Sequence, residues 1–319
     1  MQTKTNFSVI CRLLAMQTVR KVLITGATGM LARKLAAKLT ADGVETVALS
    51  RSSTPIQGFN AVHTWNPDRG ILDENALRNV DAIVHLAGAG IADKKWTDAR
   101  KQEIINSRVK GTELLSLMLH GIPNRVQIVV SASATGYYGD CGASLKTEID
   151  AAGEGFLAET CQKWENALEK LHAPARRTVI LRIGFVIDRQ DGALPVMARP
   201  VRLFAGAPYG SGKQYLSWID SSDLIRLFIF AIGNEKLSGI YNAVAPTPVI
   251  NSEFIKTIGR TLHRPVWPIG IPGAVFRILM GEQADLILQS QYASSGKISD
   301  TGFVFEYPDL KSSLKHHLA

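Results

Sequence analysis

The sequence has few cysteines, no long apolar run and no block of like charge. The three cysteines, Cys11, Cys141 and Cys161, are widely spaced. An odd number with no close pair excludes a disulfide framework and gives no zinc signature, so no metal site is expected. Such usage predicts a reducing compartment, the cytoplasm. The longest apolar stretches, such as Leu227 to Ile232, are far too short to cross a bilayer, which predicts a soluble chain with no membrane partner. The formal net charge is +8, yet no run of five like charges occurs. That spread fits a solvated surface with a mild basic excess. Among functional readings it favours a small anionic, phosphate-bearing ligand over nucleic acid. Low-complexity linkers and internal repeats are also missing, which argues against a string of independent modules.

What remains is rich in glycine, poor in aromatics and 46% hydrophobic over 319 residues, enough for a large core. Residues 1–19 are set apart. They carry Lys4 and Arg12 and no acid, but Arg12 interrupts the apolar stretch Phe7 to Ala15, which weakens a secretory signal. Met16 offers an alternative start, so the segment reads as an over-extended start or a disordered tail. From Arg20 onward, short apolar runs alternate with helical periodicity. Lys21–Ile24, Val44–Leu49, Ala61–Trp65, Ala82–Ala87, Val126–Ser131 and Thr178–Arg182 read as strands. Leu31–Leu39, Thr97–His120 and Phe156–Leu171 read as helices between them. This alternation predicts an α/β fold with a Rossmann-type doubly wound parallel sheet over residues 20–190. Beyond it, Gly, Pro and aromatic residues crowd Ala193–Trp218. Helices are expected at Ser221–Gly233, Asn251–His263 and Gly273–Gln289, with a short strand at Ile240–Ala243. Residues 191–319 therefore read as a smaller substrate lobe. The two helices at 221 and 251 open on Ser and Asn, which are good N-caps.

The turn Thr25-Gly26-Ala27-Thr28-Gly29-Met30-Leu31-Ala32 joins the first strand to the first helix. Gly26 permits the tight turn, and Gly29 lets the backbone approach a pyrophosphate. Ala32 is small enough for helix–strand packing. The N–H groups of Thr28 to Leu31 would meet the phosphates at the helix start. The second strand ends in Leu49-Ser50-Arg51-Ser52 rather than in the Asp or Glu that binds ribose hydroxyls in NAD sites. A guanidinium at Arg51 can fork onto a 2′-phosphate, with Ser52 adding a hydroxyl. The expected cofactor is NADP(H). Leu86-Ala87-Gly88 ends the fourth strand at the carboxyl edge of the sheet, where ligands of such sheets lie.

Further stretches resemble those of the extended short-chain dehydrogenase/reductases, the group of the nucleotide-sugar epimerases. More closely, they resemble the atypical "epimerase family" branch with an extra C-terminal segment. They include Ser107-Arg108-Val109, Ser131-Ala132-Ser133-Ala134-Thr135-Gly136-Tyr137-Tyr138-Gly139, Trp164-Glu165, Gly192-Ala193-Leu194-Pro195, Ser217-Trp218-Ile219-Asp220, Gly281-Glu282 and Tyr307-Pro308-Asp309-Leu310. The resemblance implies NADP(H)-dependent oxidoreductase or epimerase chemistry on a small molecule. It gives Ser133 the role of polarising a substrate oxygen. It also demands a Tyr four residues before a Lys in the helix Phe156–Leu171. The candidate positions there hold Leu157 and Cys161, or Phe156 and Thr160, and Lys163 is preceded by Glu159. The dyad is missing. Tyr137, four residues after Ser133, becomes the candidate proton donor. Arg108, where relatives often carry Asn, could point into the cleft at a phosphate, an anionic substrate or Tyr137.

A rival reading is an NADP(H)-sensing or regulatory protein without turnover. Two decoys are set aside. Gly210-Ser211-Gly212-Lys213 lacks the leading glycine of a phosphate loop, because position 207 is Ala207, and lacks the following Ser or Thr. The pair His316-His317 ends a basic tail and is expected to lack acidic or Cys partners and so to bind no metal, and Asp220-x-x-Asp223 reads as a helix cap rather than as catalytic.

Overall fold

The computed structural model describes residues 19–172 and 176–318. The reading of the N-terminal segment falls, but for Val19, outside them. In chain order the strands are β1 (Lys21–Thr25), β2 (Glu45–Ser50), β3 (Ala61–Asn66), β4 (Ile71–Leu72), β5 (Ala82–His85), β6 (Ile128–Ala134), β7 (Arg177–Ile183), β8 (Phe185–Ile187), β9 (Tyr215–Leu216), β10 (Trp218–Asp220), β11 (Gly239–Ala243) and β12 (Val249–Ile250). Eight of them form one sheet in the order β11-β7-β6-β5-β1-β2-β3-β4. Every pairing in it is parallel except that of the short β4 with β3. This is the expected Rossmann-type sheet. The chain winds outward from β1 in both directions, so a topological switch point lies between β1 and β5.

Alternation along β1 explains why the sheet is apolar on both faces. Val22 and Ile24 face Leu35 and Leu39 of the helix Met30–Ala41 and Leu224, Leu227 and Phe228 of the helix Ser221–Gly233. Leu23 faces the other way, toward Leu114, Leu115 and Met118 of the helix Asp98–Gly121 and Trp164 and Leu168 of the helix Phe156–Glu169. All three β1 residues are fully buried. Each such side chain contributes roughly 1.5–3 kcal/mol of burial energy.

A second, smaller core gathers Ile187, Met197, Val201, Leu216, Trp218, Phe254, Ile258, Leu310 and Leu314. It is built by helices Ala193–Arg202, Asn251–Leu262 and Leu310–Leu318 around the pairs β8–β10 and β9–β12. Residues after 190 do not all sit here, because Ser221–Gly233 and β11 return to the main sheet.

Several local expectations need correction. Ser221 does not cap the helix Ser221–Gly233; Asp220 does, as the Asp220-x-x-Asp223 reading expected, by accepting from Ser222 N. Asn251 is already helical, and its side-chain oxygen accepts from Tyr209 N at 2.7 Å. Within Ala193–Trp218 stands the helix Ala193–Arg202, hidden in the sequence by the internal Pro200. The expected helix Gly273–Gln289 breaks at Gly281, whose φ of +61° leaves the right-handed region, giving Gly273–Met280, a short 3₁₀ turn and Asp285–Leu288. His317 does have an acidic neighbour, Asp220, 3.0 Å away across the fold.

Candidate nucleotide and catalytic site

A cleft of about 640 Å³ opens over the switch point. Gly26, Ala27 and Thr28 of the first turn line it, with Arg51 at the end of β2 and Ala87 and Gly88 beyond β5. Gly26 has φ +68°, and a Cβ there would stand 2.7 Å from the carbonyl oxygen of Leu86. The turn and the loop after β5 are thus in backbone contact, and only glycine fits. Gly29 precedes the helix Met30–Ala41 and donates to Gly26 O at 2.9 Å. Met30 and Leu31 are the first helical residues, so their N–H groups lack intrahelical acceptors. Ala32 is buried at the helix–sheet contact. Arg51 is exposed on the cleft wall, whereas Ser52 stands outside that wall and bonds the hydroxyl of Thr54 at 2.7 Å.

A buried relay underlies the loop 86–88. Thr112 donates to Arg108 O at 2.8 Å and so accepts from His85 Nε2 at 3.2 Å. His85 Nδ1 then accepts from the Thr25 hydroxyl at 2.9 Å. Thr25 in turn accepts the N–H groups of Leu86 and Ala87, each at 3.0 Å. Burial, with Arg108 nearby, pushes His85 down to about 4, so it is neutral.

Arg108 does not line the cleft. Its Nη1 donates to Ala89 O at 3.1 Å and to Ile104 O at 3.0 Å, with the guanidinium carbon 5.1 Å from the Trp164 ring centre. It holds the loop from below, and a Cβ at Gly88 would press on it at 3.1 Å. Instead, Arg182 is the cation beside Tyr137, with its guanidinium carbon 3.4 Å from the ring centre.

Ser133 is buried at the carboxyl end of β6, and its hydroxyl donates to Glu165 Oε1 at 2.6 Å. Glu165 is held by a two-pronged pair with Arg182, at 2.9 and 2.8 Å. Arg182 also donates to the Tyr138 hydroxyl at 2.9 Å, and that hydroxyl donates to Asn242 at 2.7 Å. Burial pushes Tyr138 up to about 12 and Cys161 up to about 12. The Ser133 proton is therefore committed to a carboxylate, and Tyr138 and Cys161 are poor proton sources at neutral pH. Tyr137, half-buried, is the phenol left open on this loop.

Sequence reasoning missed Glu165, Arg182 and His85. The available signal was burial of charge: Arg182 follows the apolar run Val179–Leu181 within a strand, and a charged group buried in a sheet must be paired. The remaining cleft wall, with Trp65 in β3, Pro67 and Asp68 just after it and Glu103, Asn106 and Ser107 on the long helix, was also unassigned.

A nucleotide-sized cleft at the switch point of a doubly wound sheet, floored by a glycine turn, marks a dinucleotide-binding protein. The comparisons agree. Residues 22–243 match the model of the NAD dependent epimerase/dehydratase family, and residues 271–317 match a domain of unknown function, DUF1731. An epimerase family protein of Mycobacterium leprae is 37% identical over 297 residues, spanning 92% of this chain and 94% of its own length. The chloroplastic epimerase family protein SDR39U1 homolog of Arabidopsis thaliana is 33% identical over 300 residues, covering 92% of this chain and 85% of its own. The crystal structure of human epimerase family protein SDR39U1 with NADPH superposes with a TM-score of 0.83 at 31% identity, covering 93% of this chain and 98% of that one. The chain belongs to the NAD dependent epimerase/dehydratase family.

Proposed function

We propose that this protein binds NADPH in the 640 Å³ cleft and uses it in an oxidoreductase or epimerase reaction on a small molecule. The observation that carries the cofactor choice is Arg51 at the end of β2, on the cleft wall, where NAD sites hold a carboxylate. The NADPH in the similar human structure supports it. Gly26 and Gly29 fit the group because they leave a backbone cradle that a side chain would fill. The free N–H groups at Met30 and Leu31 would meet the pyrophosphate, Arg51 the 2′-phosphate, and Leu86, Ala87 and Gly88 the ribose side.

When bound, NADPH supplies a hydride. The residues at the end of β6 handle the proton. Tyr137 donates it to the substrate oxygen, with its ring fixed on Arg182. Ser133 acts through Glu165, holding Arg182 in place, rather than by direct contact with substrate. Arg108 supports the loop 88–90. Two buried free cysteines suit the reducing cytoplasm.

One observation favours a second reading, NADPH sensing without turnover: the Ser133 proton is already engaged by Glu165. Hydride exchange separates the two. Incubation with NADPH deuterated at the nicotinamide C4 and a panel of carbonyl metabolites should move deuterium into a product. Tight NADPH binding with no transfer across the panel would favour the sensor.

A further inference from the structure

The helix Ala193–Arg202 ends in an unusual way. Phe204 N donates to Val201 O at 3.1 Å and Ala205 N to Pro200 O at 2.9 Å, the two bonds of a Schellman stop. Its left-handed position, normally glycine, is Phe204, with φ +62°. Burial does not hold the ring there, since Phe204 is 56% exposed. A bulky residue kept in a strained conformation and turned to solvent calls for a functional account.

Its surroundings supply one. Trp267 Nε1 donates to Phe204 O at 3.0 Å, yet Trp267 is 63% exposed. Two residues on, Ile269 is 82% exposed, and Leu203 is exposed beside Phe204. Arg264 lies with its guanidinium carbon 4.8 Å from the Phe204 ring centre. The same Arg264 borders a cavity of about 500 Å³ whose titratable lining residues, Lys256, Arg260, His263 and Arg264, are all basic. Arg260 is paired with Glu253, whereas Lys256 and Arg264 form no ion pair among the described residues. Arg199 and Arg202 are exposed on the adjoining helix.

From this juxtaposition of projecting apolar tips and a basic basin, we infer that the face around Phe204, Trp267 and Arg264 is a docking surface for an anionic phospholipid bilayer. A second copy laid on this face by a twofold axis would set cation against cation, so self-association does not satisfy it. Lipid headgroup phosphates answer the basic basin, and the interfacial zone takes the indole and phenyl tips. The sequence expectation of no membrane partner rests on missing spans, and no described helix is long and apolar enough to cross a membrane. Contact with one leaflet needs no span.

The test is flotation of the full chain with vesicles of phosphatidylcholine alone or containing phosphatidylglycerol. Binding to the anionic vesicles only is expected, with loss at high salt. Phe204→Gly relieves the left-handed strain, so it should keep or raise Tm while weakening vesicle binding at least about tenfold. Arg264→Glu changes the charge by two and should weaken it about 25-fold. Equal binding to neutral vesicles, no binding to either, or full binding by Phe204→Gly would overturn the proposal. So would a dimer in analytical ultracentrifugation that Phe204→Gly dissociates, because it would give the face to a second copy.

Discussion

Reversing the charge at Arg51 tests the cofactor assignment most directly. The guanidinium stands exposed on the cleft wall, so its contact with a 2′-phosphate would be partly screened by water. A charge-assisted hydrogen bond contributes about 1.5–3 kcal/mol. Taking the lower end for an exposed group gives a roughly tenfold preference for NADPH over NADH. Arg51→Glu removes that contact and places a carboxylate near a doubly charged phosphate, adding about 1–2 kcal/mol of repulsion at water-like dielectric. NADPH affinity should then fall about 100-fold while NADH affinity changes by less than about threefold. Isothermal titration of both cofactors at low and high salt measures this, and the NADPH advantage should shrink as the Debye length shortens. Equal affinities in the unaltered protein, or equal losses of both cofactors in Arg51→Glu, would refute the reasoning.

Other expectations follow from the site. Gly29→Val should abolish NADPH binding while the chain stays folded by circular dichroism, since its branched Cβ would stand 3.2 Å from Gly26 O and block the pyrophosphate approach. The unfolded chain protonates His85 near its ordinary value of 6.5, but the folded chain does so only at about 4. The folded pKa is depressed for a base, so the unfolded state binds more protons between those values and stability falls as pH drops from 6.5 toward 4. At pH 5 this amounts to about 2 kcal/mol, and urea melts at pH 7 and 5 should show that loss in the unaltered protein and not in His85→Gln. Cys161, buried and pushed up to about 12, should resist alkylation in the native protein, and Cys161→Ala should keep NADPH affinity. Once a substrate is found, Tyr137→Phe should cut kcat by about 100-fold or more without changing NADPH affinity; full activity would remove Tyr137 from the reaction.

The nucleotide half was legible because its signals are local. A buried strand, a glycine turn and a helix lie within residues 21–41, and Arg51 ends the next strand. The candidate catalytic group was not, because its contacts join distant positions. Ser133 meets Glu165 across 32 residues, and Tyr138 meets Asn242 across 104. Spacing in the sequence put Ser133 at the right strand end but could not tell that a carboxylate would take its proton. It offered Arg108 as the cation near Tyr137, while the fold brings Arg182 from the neighbouring strand. The helix Gly273–Gln289 was overread because its apolar periodicity continues through Gly281, whose backbone conformation only the fold fixes.

The late arrival of β11 has a consequence for dissection. The chain leaves the main sheet after β7, builds the first part of the small core, and then returns to lay β11 against β7. A fragment ending at residue 190 would carry β7 as a bare edge and lose the helix Ser221–Gly233 that covers one face of β1. Such a fragment should aggregate rather than act as a portable nucleotide module. Two-piece complementation is a different matter. A nick in the exposed turn between Ser221–Gly233 and β11 severs the tether, yet each piece would still need the other's strand to close the sheet. Reassembly of those halves could therefore be read out by recovered cofactor fluorescence.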